Sequence, residues 1–161
     1  MRKKKKEGKF DMYTIEEFDK EKTKVLKYVL YKKRTEKEIR TKFKTQIEEN
    51  MLEDILQDLK ENGYVSDENY IERAIHEYIA LKNFSVKEIK YKLMSKGISS
   101  SLAEDYIQKK EEELNEYEQK SADNIVLKKS VNMEETEIRQ YLMKKGYTEE
   151  HIKSALEKLE E

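Results

Sequence analysis

The sequence predicts an all-α protein made of three tandem three-helix repeats in an elongated or curved stack. Three observations predict it. The 161 residues include no Pro and only four Gly, against usual shares of about 5% and 7%, so few positions can break a helix or make a tight turn. A polar, Glu-Ile, large-apolar frame recurs at a period near fifty residues, first as Thr35, Glu38, Ile39 and Phe43. It returns as Ser85, Glu88, Ile89 and Leu93, and again as Glu134, Glu137, Ile138 and Leu142. Finally, apolar residues between these frames follow helical spacing, as in Tyr70, Ile71, Ala74, Ile75, Tyr78 and Ile79.

Each element follows from this pattern. Residues 1–20 form a basic, partly disordered leader, in which Arg2 to Lys9 carry a net +5. The first repeat, 21–66, buries Val25, Leu26, Val29 and Leu30 on one helix and starts a second with the Thr35–Glu38 capping box. There the hydroxyl accepts from a free backbone N–H and the carboxylate reaches back to the cap. Its third helix buries Leu52, Ile55, Leu56 and Leu59, and Asn62-Gly63 ends it. The second repeat, 67–114, opens on a cap at Ser66 or Asp67. It continues with the Ser85–Glu88 box over Val86, Ile89 and Leu93, and after Gly97 with a box at Ser101–Glu104 over Leu102, Ala103, Tyr106 and Ile107. The third repeat, 115–161, buries Ala122, Ile125 and Val126, then Ile138 and Leu142, then Ile152, Ala155 and Leu156. Its middle helix has no hydroxyl at Glu134, and Asn132 with Glu135 is the expected substitute cap. Helix-favouring residues run without a break from Gln108 to Lys120, so one helix can cross from the second repeat into the third.

Composition excludes whole classes of function. Charged residues make up 43% of the chain and apolar ones 36%, but the net charge is only −1, and 11 Tyr with 4 Phe supply burial that disordered chains lack. Without Cys there are no disulfides, thiolate metal sites or cysteine nucleophiles, and two His, expected at surface or boundary positions, cannot build a His-rich metal site. No phosphate-binding Gly-rich loop and no nucleophile–His–acid arrangement occurs, and no carboxylate pair is marked out for acid–base work. The expectation is a protein that is not an enzyme and needs no cofactor or metal. No apolar run approaches the roughly 18 residues needed to span a bilayer, nor does one follow the N-terminal cations as in a signal peptide. A cytoplasmic monomer is expected.

Charge is segregated by helix. The second helices with their lead-ins are basic: 32–46 carries +5, 86–97 carries +3 and 128–145 carries +2. The third helices are acidic, at −5 for 47–62, −3 for 98–113 and −3 for 147–161. In an in-register stack the second helices would form a basic stripe. With Ile89 and Leu93 defining the buried side, Lys87 faces outward and Lys90 lies on the flank, as do Lys37 and Arg40 in the first copy; Arg139 is the third copy's flanking cation, and Lys44 is a further outward one. These six are the candidate partner-facing residues. Lys and Arg without base-edge geometry read no sequence, so any nucleic-acid contact would be salt-sensitive and non-specific.

Several of these residues carry a resemblance. Arg34-Thr35 with Glu38-Ile39, the joint Gly63-Tyr64 with Asp67 and Tyr70, and Ile89-Lys90, Leu93 and Lys96-Gly97-Ile98 resemble the RecX family of bacterial recombination regulators, as do Tyr141-Leu142 and Gly146-Tyr147. The match spans about residues 22 to 158. It implies a non-enzymatic modulator that binds the RecA filament on single-stranded DNA and inhibits its ATPase, strand exchange and coprotease activities. Many members are more basic than this chain, which favours the filament over weak direct DNA contact as the partner. The alternative is a helix-turn-helix-type DNA-binding regulator, but Val86 to Gly97 offers mainly Lys and apolar residues where a recognition helix combines cations with Asn, Gln, Ser or Thr. A third option is a scaffold that presents its acidic faces to a basic partner.

Overall fold

The computed structural model describes residues 13–161. Those residues form nine α-helices and no strand: α1 (Ile15–Tyr31), α2 (Glu36–Phe43), α3 (Glu49–Glu61), α4 (Asp67–Leu81), α5 (Val86–Ser95), α6 (Ser100–Lys109), α7 (Glu111–Lys129), α8 (Glu135–Lys145) and α9 (Glu149–Leu159). They divide into two compact units, Met1–Tyr70 and Ile71–Glu161, the division falling within α4. The +5 stretch of the leader lies outside the described residues. The later leader residues are helical, because Thr14 caps α1: its hydroxyl accepts from Glu17 N–H at 3.0 Å and the Glu17 carboxylate accepts from Thr14 N–H at 2.8 Å.

In the first unit α1, α2 and α3 pack on one another. Val25 and Val29 of α1 meet Ile39 and Phe43 of α2 and Leu52, Ile55, Leu56 and Leu59 of α3 in one apolar cluster. Leu26 and Tyr28 pack at its edge, and Tyr28 meets Phe43 edge-on with ring centroids 5.5 Å apart. Leu30, expected in this core, is instead 64% exposed. It sits about 100° around the helix from Val29, in the last turn, and the core meets α1 along the Val25–Val29 line. Without a Gly, α2 ends after eight residues, and Ile47 folds back to seal the core, its N–H donating to Phe43 O at 2.9 Å.

In the second unit α7 is the hub, touching α5, α6, α8 and α9. Leu114, Tyr117, Ser121, Ala122, Ile125 and Val126 give it a buried face, which is how so charged a helix finds a partner. The run from Gln108 to Lys120 is not one helix. It breaks at Lys110 (φ −108°, ψ 27°), whose N–H bonds back to Tyr106 O and Ile107 O while its carbonyl accepts from Leu114 N–H at 2.8 Å; a single residue closes α6 and opens α7. The cap of α6 is Ser99 rather than Ser101, with its Oγ accepting from Leu102 N–H at 3.2 Å. The cap of α8 is Glu134 rather than Asn132, its N–H held by the Glu137 carboxylate at 3.0 Å. At the ends of α5 and α8, Ile98 N–H reaches Leu93 O and Tyr147 N–H reaches Leu142 O, both at 3.1 Å, across left-handed Gly97 (φ 102°) and Gly146 (φ 97°).

The turn from α4 to α5 is held by α7. Lys82 adopts a left-handed conformation (φ 52°) that costs a non-glycine residue energy, and its carbonyl accepts from Ser121 Oγ at 3.1 Å. Tyr117 hydroxyl donates to Phe84 O at 2.7 Å and accepts from Phe84 N–H at 3.1 Å. Ser121 Oγ also meets the Tyr147 hydroxyl at 2.7 Å. Burial pushes both phenols above the ordinary tyrosine value, Tyr147 most strongly, despite the hydrogen bonds with Ser121 and Phe84 that favour the charged form.

Two outcomes test this packing. Ile89 is fully buried, so Ile89→Ala is expected to lower unfolding free energy by about 2 to 5 kcal/mol in urea titration; a loss under about 0.5 kcal/mol would place the residue on the surface. The folded state also keeps Tyr117 and Tyr147 protonated above 10.0, where an exposed phenol ionises, so their contribution is intact below that pH and is lost as pH rises from there through their raised folded values. Tyr147→Phe should be less stable than the parent at neutral pH but lose less further stability between about pH 8 and 11, and equal alkaline losses would contradict the assignment.

Candidate interaction surface

The second helices are positioned from their N-termini. Thr35 and Ser85 are completely buried, and each caps its helix by accepting from the N–H three residues on, Glu38 at 3.1 Å and Glu88 at 3.0 Å. The Glu38 and Glu88 carboxylates return the bond to Thr35 N–H and Ser85 N–H at 3.0 and 2.9 Å. The next N–H in each helix is taken by a distant carboxylate. Asp67, at the start of α4, accepts from Glu36 N–H at 2.9 Å; Glu118, in α7, accepts from Val86 N–H at 2.8 Å. Asp67 is thus engaged with α2, and Ser66 Oγ takes Asn69 N–H at the start of α4 itself. Burial raises the Asp67 carboxyl above its ordinary value, against the lowering effect of the Glu36 hydrogen bond. Glu36 is desolvated too, but Arg40 and Lys60 outweigh this and hold its carboxyl below the usual value.

Glu118 does more than cap α5. It is 2% exposed, and its second oxygen accepts from Thr148 N–H at 3.2 Å and meets His151 Nδ1 at 2.6 Å. His151, expected at a surface or boundary position, is in fact 4% exposed. The helical wheel of α9 puts it beside Ile152 and one turn from Ala155, and Glu118 supplies the polar partner that makes burial tolerable. Ser85 links the same region to α8, donating from Oγ to Lys145 O at 2.7 Å. Gly146 must be glycine here twice over: its φ is left-handed, and a Cβ would lie 3.0 Å from Lys87 Cβ and 3.2 Å from Ser85 Oγ.

The six candidate cations fall into two sets. Arg40, Lys90 and Arg139 occupy equivalent positions on α2, α5 and α8, and each pairs with an acid of the helix that follows: Glu53 in α3, Glu104 in α6 and Glu149 in α9. Arg40 also bonds Glu36 at 2.7 Å. These three fasten second helices to third helices. Lys37, Lys44 and Lys87 are exposed and make no ion pair with a described residue. Lys37, Arg40 and Lys44 belong to the first unit, and Lys87, Lys90 and Arg139 to the second. Tyr91 and Met94, on the same outward side of α5 as Lys87, are 55% and 37% exposed and add apolar surface to it. Helical phase alone showed which cations face outward. The acids that hold three of them, and the roles of Asp67, Glu118 and His151, depend on partners in other helices; the one sequence signal for the carboxylate caps is that acids recur at 67 and 118, about one repeat period apart. No described helix is long and apolar enough to cross a membrane, and no cluster of potential metal ligands occurs among the described residues.

Comparison with known proteins agrees with this construction. The family pattern described as "RecX, first three-helix domain" matches residues 135–159, which hold α8 and α9. The chain is 37% identical over 84 residues to the regulatory protein RecX of Finegoldia magna, covering 52% of this chain and 41% of that one. It is 30% identical over 139 residues to the Staphylococcus carnosus protein of the same name, covering 84% and 52%. The chain spans about half the length of the curated relatives it matches. Its fold is similar to the crystal structure of RecX from Lactobacillus salivarius, with a TM-score of 0.75 and 25% identity over 91% of this chain and 99% of that one. Sequence motifs, helical order and fold thus agree, and the chain belongs to the RecX family of regulatory proteins.

Proposed function

We propose that this chain is a cytoplasmic, non-enzymatic regulator that binds the RecA recombinase filament on single-stranded DNA and restrains its ATPase, recombination and coprotease activities. Membership of a family of regulatory proteins carries the reading. The surface supports it through Lys37, Lys44 and Lys87, exposed cations on or just after second helices that make no ion pair with a described residue, whereas Arg40, Lys90 and Arg139 are held by ion pairs within the chain. An acidic protein surface or a phosphate backbone is the complementary chemistry. The chain is nearly neutral although 43% of its residues are charged, so attraction to a partner is local and screened by salt beyond about 10 Å at 0.1 M. Arg40, Lys90 and Arg139 act here through helix packing, each exposed pair contributing at most about 1 kcal/mol.

The test is RecA ATPase on single-stranded DNA with the protein titrated in. The parent should inhibit, and a Lys37→Glu, Lys44→Glu, Lys87→Glu variant should need about tenfold more protein for the same effect, equivalent to about 1.4 kcal/mol. Reversing Glu49, Asp105 and Glu157, exposed acids of the third helices, changes the same number of charges and should alter inhibition less than about twofold. Inhibition by the basic-face variant together with failure of the acidic-face variant would assign the working surface to the opposite side.

A further inference from the structure

The first unit holds a cation that packing does not call for. Arg34 lies in the connection between α1 and α2, where its guanidinium stacks 3.9 Å from the centroid of the Tyr28 ring. The matching residue of the second repeat is Phe84, which meets Tyr78 edge-on at 5.5 Å, and that of the third is Met133, packed at the edge of its core. An apolar side chain thus closes this corner in the other two repeats, so the closure itself needs no charge. Stacking holds the guanidinium in place: its Nε–H is buried without an acceptor, and no acid pairs with it among the described residues. A buried donor without a partner costs free energy, which an apolar residue here would avoid.

A second cation joins it. Lys42 of α2 places its Nζ 5.7 Å from the centroid of the same Tyr28 ring, and it is exposed and makes no ion pair with a described residue. Tyr31 lies about one turn along α1 from Tyr28 and is 84% exposed; residues three apart are neighbours on a helix face. The chain then leaves the helix in an extended conformation at Lys32 (φ −161°, ψ 143°), and Lys32 and Lys33 are both exposed. Residues 25–35 carry four cations and no acid.

We propose that this corner of the first unit is a contact for single-stranded nucleic acid, with one backbone phosphate held by Arg34 and Lys42 and a base stacked on Tyr31. The solvent-facing edge of the half-buried guanidinium offers the fork of N–H groups that fits phosphate oxygens, and Lys42 supplies a second charge. A carboxylate of a protein partner would satisfy the same fork but would leave Tyr31 and the lysines beside it unused. A single strand uses all of them, because its phosphates recur along the backbone and its bases have faces free to stack. No base edge is read, so binding tolerates any sequence. The inference goes beyond the regulatory reading above and needs no recombinase.

The experiment follows the fluorescence anisotropy of a short dye-labelled thymine homopolymer as the full chain is added, without recombinase, over a series of salt concentrations. The parent is expected to bind at low salt, with the logarithm of affinity falling linearly against that of salt concentration. Arg34→Met and Lys42→Met should each weaken binding about fivefold. Together they should reduce the salt slope by about 0.7, the value for one phosphate of a single strand. Tyr31→Ala should weaken binding at least about fivefold with the slope unchanged, whereas Tyr31→Trp should bind at least as well as the parent. If Arg34→Met loses helix content by circular dichroism, Lys42→Met and the Tyr31 variants, altered at exposed positions, decide. A parent that does not bind the strand at low salt, or variants that all bind it within about twofold of the parent, overturns the contact and leaves the regulatory reading standing. Variants that bind the strand like the parent yet fail to inhibit RecA also overturn it, assigning the corner to a carboxylate of the protein partner. Strand binding as expected from a parent that leaves RecA ATPase unchanged supports the contact and overturns the regulatory reading instead.

Discussion

The second unit depends on satisfying one buried carboxylate. Glu118 lies in a helix whose buried face is otherwise almost entirely apolar, where an unpaired charge would be strongly destabilising. Its solution is to take a main-chain N–H from the start of α5, another from the residue capping α9, and the imidazole of His151. Because three partners from two other helices must converge on two oxygens, α5 and α9 have little freedom to slide along α7. The Ser121 and Tyr117 hydroxyls fix the α4–α5 turn against the same helix face, and the Ser85–Lys145 bond ties α8 to it. Thin apolar layers are thereby given a single register by polar contacts.

The chain's unusual charge content is reconciled with its modest core in the same way. Acids of the third helices meet cations of the first and second at Lys22–Asp58, Arg40–Glu53, Lys90–Glu104 and Arg139–Glu149, so segregated charge becomes contact between helices. Individually these exposed pairs contribute little. Their value lies in leaving few bare like charges on any one helix, while long Lys and Arg stems cover apolar edges. Arg34 stacked 3.9 Å over the Tyr28 ring and Lys92 4.5 Å from the Phe84 ring centroid extend the same use of cations as cover.

How far the sequence disclosed this depended on the range of each interaction. Thr35–Glu38 and Ser85–Glu88 are three residues apart, so their boxes could be read directly; Ile39, Ile89 and Ile138 could be read from period alone. Where several residues compete locally, phase was missed by a step: Ser99 and not Ser101 in a run of three serines, Glu134 and not Asn132, and Leu30 one position beyond the buried line of α1. Partners supplied by other helices left no local trace. The Asp67 and Glu118 caps, the burial of His151 and the locking of Arg40, Lys90 and Arg139 all follow from how helices meet. Exposure of the candidate cations was therefore legible in part, and their availability was not.

The break at Lys110 has a consequence for how this protein can vary. One residue both ends α6 and begins α7, with no slack between them. Inserting or deleting a single position there would turn α7 by about 100° relative to α6, carrying Tyr117, Glu118 and Ser121 off their partners together. The solvent-facing letters of this stretch, such as Glu112, Glu113 and Glu116, are open to exchange because they touch no core. Its length is not, and the junction works as a gear tooth: indifferent to material, intolerant of a miscount.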